Sequence, residues 1–159
     1  MPKITPFLWF DDQALEAAEF YVSVFPNSKI LDVAYYSEAG PRPAGSVMTV
    51  RFELDGSEFV GLNGGPDHFA FNESVSFVVD CHTEDEVDHY WKALTDGGKE
   101  IACGWLIDRY GLRWQIVPSE LPSLLSDPDP ERARRAVQAM MTMTKLDIRA
   151  MKEAADGAS

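Results

Sequence analysis

One order of elements occurs twice in this chain, and no other feature narrows the fold as much. Ile4 to Phe10 is a short apolar run of strand length, and Asp11-Asp12 behind it can cap a helix that starts near Gln13. In that helix Leu15, Ala18, Val22 and Phe25 recur at spacings of 3, 4 and 3, which makes one apolar stripe, and Pro26-Asn27-Ser28 ends it. Lys29 to Tyr36 reads as a strand and 40–45 as a Gly/Pro loop. Beyond it Met48, Val50, Phe52 and Leu54 alternate with Thr49, Arg51 and Glu53. Asp55-Gly56 is favoured in a two-residue type I′ turn, so Ser46–Leu54 and Ser57–Leu62 are expected to form an antiparallel hairpin.

The same order then returns. After the turn-rich Asn63-Gly64-Gly65-Pro66-Asp67 comes a strand, Ser74 to Asp80, and then Thr83-Glu84-Asp85-Glu86, a capping box. Val87, Tyr90, Trp91 and Leu94 follow at i, i+3, i+4 and i+7, and Gly97-Gly98 stops a helix expected over about 83–96. Glu100–Trp105, a short Leu106-Ile107 segment, a turn at Asp108–Gly111 and a strand Leu112–Val117 closed by Pro118 complete the second unit. A period of about 70 residues with matching element order reads as a structural duplication of βαβββ modules, about 1–66 and about 67–120, in an α+β chain.

Asp127-Pro128-Asp129-Pro130 stops the chain and restarts it, with Asp129 as cap and Pro130 at the first helical position. Val137, Met140, Thr144, Ile148, Met151 and Ala155 form a stripe, from which one long helix over about 129–155 is expected. About 25 residues of helix span about 38 Å, more than one small domain needs. A homodimer built in part on this helix is therefore expected, the alternative being a helix laid wholly on its own domain.

Composition bounds the function. With 45% hydrophobic and 11% aromatic residues the 159-residue chain can bury a core, so disorder is excluded. Its 14 Lys+Arg against 26 Asp+Glu give a net charge of −12, and the one basic run is Arg132, Arg134 and Arg135. Nucleic acid is not an expected partner, since phosphate backbones need clustered cations. No stretch approaches a membrane span and the N-terminus lacks the apolar core of a secretory leader, so a cytoplasmic protein is expected. Cys81 and Cys103 read as small buried hydrophobes, although Cys81 stands before a helix N-terminus beside His82, a setting that can lower a thiol pKa. His82 and Glu86, like Asp85 and His89, have helical ligand spacing, but on so acidic a helix they read as a solvated face. His68 reads as a loop residue.

Several segments resemble the PhnB-like branch (3-demethylubiquinone-9 3-methyltransferase type) of the glyoxalase/bleomycin-resistance/extradiol-dioxygenase, or vicinal oxygen chelate, superfamily. They are Pro6–Asp11, Phe20–Ser28, Leu62–Pro66 and Cys103–Gln115, and the resemblance runs from about Ile4 to Ala154, taking in Lys145–Ile148. It implies that the two modules form a cupped mixed sheet. It also implies where metal ligands stand in those relatives that are metal enzymes: near Thr5, near Asn63, at Ser74 and at Gln115. None of these is a carboxylate or imidazole, a poor first shell for a divalent cation, so neither metal nor other cofactor is expected. The methyltransferase label is not supported by the residues either. Gly64-Gly65 and Gly97-Gly98 do not form the Gly-rich strand-to-helix loop that usually holds S-adenosylmethionine.

Strand parity indicates what the cup is lined with. If Ile4, Pro6, Leu8 and Phe10 pack under the first helix, Thr5, Phe7 and Trp9 face the concave side; by the same rule Ser74, Ser76 and Val78, and Arg113, Gln115 and Val117, do so in the second module. With Asn63, Cys103 and Trp105 added, the candidate ligand-binding set is Thr5, Phe7, Trp9, Asn63, Ser74, Ser76, Cys103, Trp105, Arg113 and Gln115. Aromatic walls with a few neutral polar groups suit a small organic molecule. The expected function is a metal-free PhnB-like binder of such a molecule, its reaction unassigned. The alternatives are a metal-dependent lyase or isomerase of the superfamily and an antibiotic-sequestering resistance protein.

Overall fold

The computed structural model describes residues 2–157 and divides into two compact units, one ending at Phe69 and the other starting at Ala70. The first contains β1 (Phe7–Phe10), α1 (Ala14–Val24), β2 (Lys29–Tyr35), β3 (Val47–Leu54) and β4 (Ser57–Asn63). Its sheet has the order β1-β4-β3-β2, with β1 parallel to β4 and the other pairs antiparallel. The β3–β4 turn has positive φ at both Asp55 (45°) and Gly56 (88°), the type I′ geometry expected of that dipeptide.

The second unit repeats this wiring with β5 (Phe77–Cys81), α2 (Glu84–Thr95), β6 (Lys99–Glu100), β7 (Trp105–Ile107) and β8 (Arg113–Pro118). Its order is β5-β8-β7-β6, again with the first strand parallel to the last. Thr83 caps α2, its hydroxyl accepting from the Glu86 amide at 3.1 Å, as the capping box requires.

Each helix covers one sheet face. Val87, Tyr90, Trp91 and Leu94 of α2 are buried, as are Leu106, Trp114 and Ile116 of the sheet. In α1 the buried set is Ala14, Ala17, Ala18, Tyr21 and Val24, while Leu15 and Val22 of the expected stripe are only half-buried. The alanines win because α1 lies close on β4: a Cβ added at Gly61 would stand 3.1 Å from that of Ala14.

The tail forms α3 (Leu121–Leu125), α4 (Pro130–Met140) and α5 (Ile148–Ala155). Asp129 caps α4 through the Glu131 amide, with Pro130 in the first turn, as expected. The single helix expected over 129–155 is instead two helices packed on each other, burying Leu121, Leu124, Ala136, Leu146, Met151 and Ala155 together. The break has local causes. Thr142 bonds back to the Ala139 carbonyl, the Met143 and Thr144 carbonyls accept from the Cys103 and Gly104 amides at 2.9 and 2.7 Å, and Asp147 caps a new helix through the Ala150 amide. No helix among the described residues is long and apolar enough to cross a membrane.

Candidate functional site

In each module side chains stand exposed on the sheet face away from its helix, Phe7 and Trp9 on the first and Val78 on the second, although Val117, expected to line the cup, is partly buried against the tail core. On the first, the register sets Phe7 beside Val60 and Trp9 beside Leu62, with Arg51 and Thr49 on the next strand. Phe7 is 61% and Trp9 38% exposed, whereas Leu8 and Phe10 are buried, so the expected parity holds from Phe7 onward. It fails before that. The strand begins only at Phe7, and Ile4, expected to pack, is 94% exposed, while Thr5 is half-buried ahead of the strand. Trp9 is seated by the Gly64-Gly65 step. Its Nε1 donates to the Gly65 carbonyl at 2.9 Å, Phe69 meets it edge-on at 5.2 Å, and a Cβ on Gly64 would collide with the indole at 2.2 Å.

Asn63 is not aimed at a ligand. It is buried (5% exposed), its Oδ1 accepts from the Ala14 amide at 2.8 Å and its Nδ2 donates to the Val47 carbonyl at 3.2 Å. It therefore caps α1 from β4, in place of Asp11 or Asp12, and the N-cap residue Gln13 makes no side-chain cap bond.

On the second module's open face, Val78, Gln115 and Trp105 stand in one row across β5, β8 and β7, with Arg113 beside Ile107 in the row before. Gln115 Nε2 donates to Ser76 Oγ at 2.9 Å, so the structure brings Ser76, Trp105, Arg113 and Gln115 together. Ser74 and Cys103 are placed elsewhere. Asn72 accepts from the Ser74 amide at 2.8 Å in a turn that delays the strand to Phe77, leaving Ser74 exposed and off the sheet. Cys103, in a 3-10 turn with left-handed φ of 60°, directs its thiol to the Met140 carbonyl and so faces the tail.

Arg113 is enclosed by its own loop. Nε donates to Glu73 at 3.0 Å, and Nη1 donates to the Phe71 and Gly111 carbonyls at 3.1 and 2.7 Å. The hydrogen bond from Arg113 holds the Glu73 carboxyl below the usual carboxylate range. A residue that sequence reasoning passed over as part of a turn shapes the same loop. Asp108, 3% exposed, accepts from the Tyr110 and Leu112 amides through Oδ1 and from Trp114 Nε1 at 2.7 Å through Oδ2. The signal was present as Asp-x-x-Gly, an acid followed by a glycine whose φ is +94°.

The donors at the positions implied for a metal do not fit one. Asn63 is engaged by α1, Ser74 is off the sheet, Thr5 precedes its strand, and Gln115 is a neutral amide bonded to Ser76. Among the described residues no group of three or more His, Cys, Asp or Glu could hold an ion.

A groove of about 430 Å³ lies elsewhere in the second unit, between the N-terminal turns of α2 and α5, with Cys81, His82 and Ser119 on its wall. It is a strapped seam. Lys145, Arg149 and Lys152 pair across it with Asp88, Glu84 and Glu120. His82 Nδ1 lies 3.1 Å from Ser119 Oγ, and the same hydroxyl stands 3.0 Å from the Cys81 carbonyl, so its one proton is shared between two acceptors. Cys81 is buried, and desolvation, reinforced by Glu86 and Asp80, pushes its thiol up to about 12; the lowered pKa its position suggested is reversed.

Two modules of identical wiring with open sheet faces define a protein of the glyoxalase/bleomycin-resistance fold. The chain belongs to the family described as 3-demethylubiquinone-9 3-methyltransferase, which matches residues 2–117, and within the superfamily to the PhnB-like branch. A putative 3-demethylubiquinone-9 3-methyltransferase, a PhnB protein from Bacillus cereus, is 36% identical over 74% of this chain and 99% of its own, with a TM-score of 0.68. Two more solved structures share the fold at 18% identity. One, from Pseudomonas aeruginosa, has a TM-score of 0.62 over 74% of this chain and 98% of its own. The other, from Arabidopsis thaliana, has a TM-score of 0.51 over the same shares. No curated protein matches. The family match covers residues 2–117 and stops before α3–α5, so of the likeness expected as far as Ala154 it shows the part up to 117.

Proposed function

We propose that this PhnB-like protein binds a small organic molecule on its open sheet faces, with no metal held by its own side chains, and assign it no reaction. The observation that carries the reading is the row Val78–Gln115–Trp105 beside Ser76, where apolar and aromatic surface surrounds neutral hydrogen-bonding groups on the middle of a sheet. Phe7, Trp9 and Phe69 on the first module supply similar surface. Methyl transfer is not part of the reading, because neither strand-to-helix connection, Asp11-Asp12-Gln13 or His82-Thr83, contains a glycine. We further place the protein in the cytoplasm as a homodimer, partly through α4, where Val137 and Met141 sit one turn apart and exposed.

The test is a thermal-shift screen of purified protein against neutral and charged small organic molecules and against Zn, Ni, Mn, Fe(II) and Mg with EDTA as control, beside elemental analysis and mass determination in solution. Stabilisation by organic molecules with no stoichiometric metal supports the reading, and a twofold mass supports the dimer. A stoichiometric metal with a shift of several degrees contradicts it in favour of the lyase or isomerase class. Response to cationic antibiotics alone contradicts it in favour of sequestration.

A further inference from the structure

The polar groups on the second module's open face define what a ligand there must offer. Ser76 and Gln115 bond to each other at 2.9 Å and make no other side-chain hydrogen bond among the described residues. The pair therefore retains unused capacity: Gln115 Oε1 accepts, and the Ser76 hydroxyl proton and second Nε2 proton donate. Turning the amide over leaves the same offer, because the Ser76 oxygen then accepts while the Nε2 protons donate. On either arrangement the site presents an acceptor with donor protons beside it, partly shielded from water, with Val78 and Trp105 flanking Gln115 on the neighbouring strands.

Charge is matched to this in a particular way. Of the two cations that the register sets on this face, Arg113 has its charge countered by Glu73 and both Nη1 protons on backbone carbonyls, and its side chain is 16% exposed, while Lys99 stands in the same row on the edge strand β6, two strands from Gln115. Asp80, two residues beyond Val78 on the same face and paired in register with Val117, is exposed. A carboxylate or phosphate would thus give up its hydration for a neutral pair with an acid nearby, and would meet a chain of net charge −12.

We infer that this face takes a neutral planar molecule with a carboxamide edge, a primary amide or lactam, whose C=O and N–H on one side meet the donor and acceptor of the Ser76–Gln115 pair while its ring lies against Trp105. The inference rests on the reading of the open face as a ligand surface and narrows it to one chemical class. It is distinct from chelation of a metal by adjacent anionic oxygens, since no group of three or more His, Cys, Asp or Glu among the described residues could hold the ion.

The experiment compares four probes of one shape, benzamide, benzoate, benzamidine and toluene, by ligand-observed NMR and Trp105 indole shifts, on the wild-type chain and on Gln115→Leu and Ser76→Ala. Benzamide is expected to bind about tenfold or more tightly than benzoate and toluene, since an unmatched polar group on either side is what separates them. Benzamidine is expected to bind more weakly than benzamide, since its amidinium offers no acceptor to the donor of the pair. In Gln115→Leu the benzamide advantage should fall to the level of toluene while toluene still shifts Trp105, which shows the face intact. Equal or tighter binding of benzoate or benzamidine overturns the inference but leaves the face a ligand surface, as does a benzamide preference that survives both substitutions. Failure of all four probes to shift Trp105 overturns both the inference and the reading beneath it.

Discussion

Replacing Asn63 with alanine removes two bonds at once, the cap on the Ala14 amide and the donor to the Val47 carbonyl, at a position that is almost wholly buried. Asn63→Ala is expected to destabilise the chain by about 2 kcal/mol, read as a lower urea midpoint with unchanged slope. The two thiols should separate cleanly. With the Cys81 thiol buried and pushed up to about 12, labelling at pH 8 should stop at one equivalent per chain, on Cys103, and reach two only in denaturant. Two equivalents on the native chain would contradict the burial of Cys81. What could be read in the sequence at this scale was local: the turn dipeptide Asp55-Gly56 and the cap Thr83 act within three residues of themselves. The role of Asn63 could not be read, because its partner amide lies 49 residues away in the chain. Ser76 rather than Ser74 faces Gln115 for a related reason, since a side-chain bond from Asn72 decides where the strand begins.

Among elements, the tail is where periodicity misled. The stripe Val137, Met140, Thr144, Ile148, Met151 and Ala155 keeps helical spacing straight through a break, because it records only which positions are apolar. The carbonyls that leave the helix there are taken up by Cys103 and Gly104, about forty residues earlier in the chain, and a pattern confined to the tail carries no trace of them. The α4 end is tied by carboxylates. Asp127 is held below its ordinary value by the Asp129 amide and then Arg132, and Glu131 by Arg134. Lowered folded values contribute stability above the ordinary carboxylate pKa, and it is lost as pH falls through the lowered values. Acidification from neutrality to about pH 3 should therefore raise hydrogen exchange in α4 and α5 before the β3–β4 hairpin opens, after correction for intrinsic rates. Simultaneous loss of protection in both would contradict a separately tied tail.

For the molecule as a whole, the duplication was the most legible property. A strand feeding a helix and then three strands, twice over, leaves few sheet orders that bury both helices, and the two units adopt the same one. The open faces were legible as parity, which assigned Phe7, Trp9, Gln115 and Arg113 correctly wherever a strand was correctly begun. The engagement of Arg113 by its own loop was not, since Glu73 and the Phe71 carbonyl approach it only through the fold. On the function proposed above, ligands go to the open sheet faces and not to the strapped groove between α2 and α5. Backbone and indole chemical-shift mapping with any small organic molecule that stabilises the protein tests it directly. The expected result is perturbation centred on Trp105, Gln115 and Val78, or on Phe7 and Trp9, while His82, Ser119 and Arg149 stay unmoved; perturbation centred on those three would contradict it.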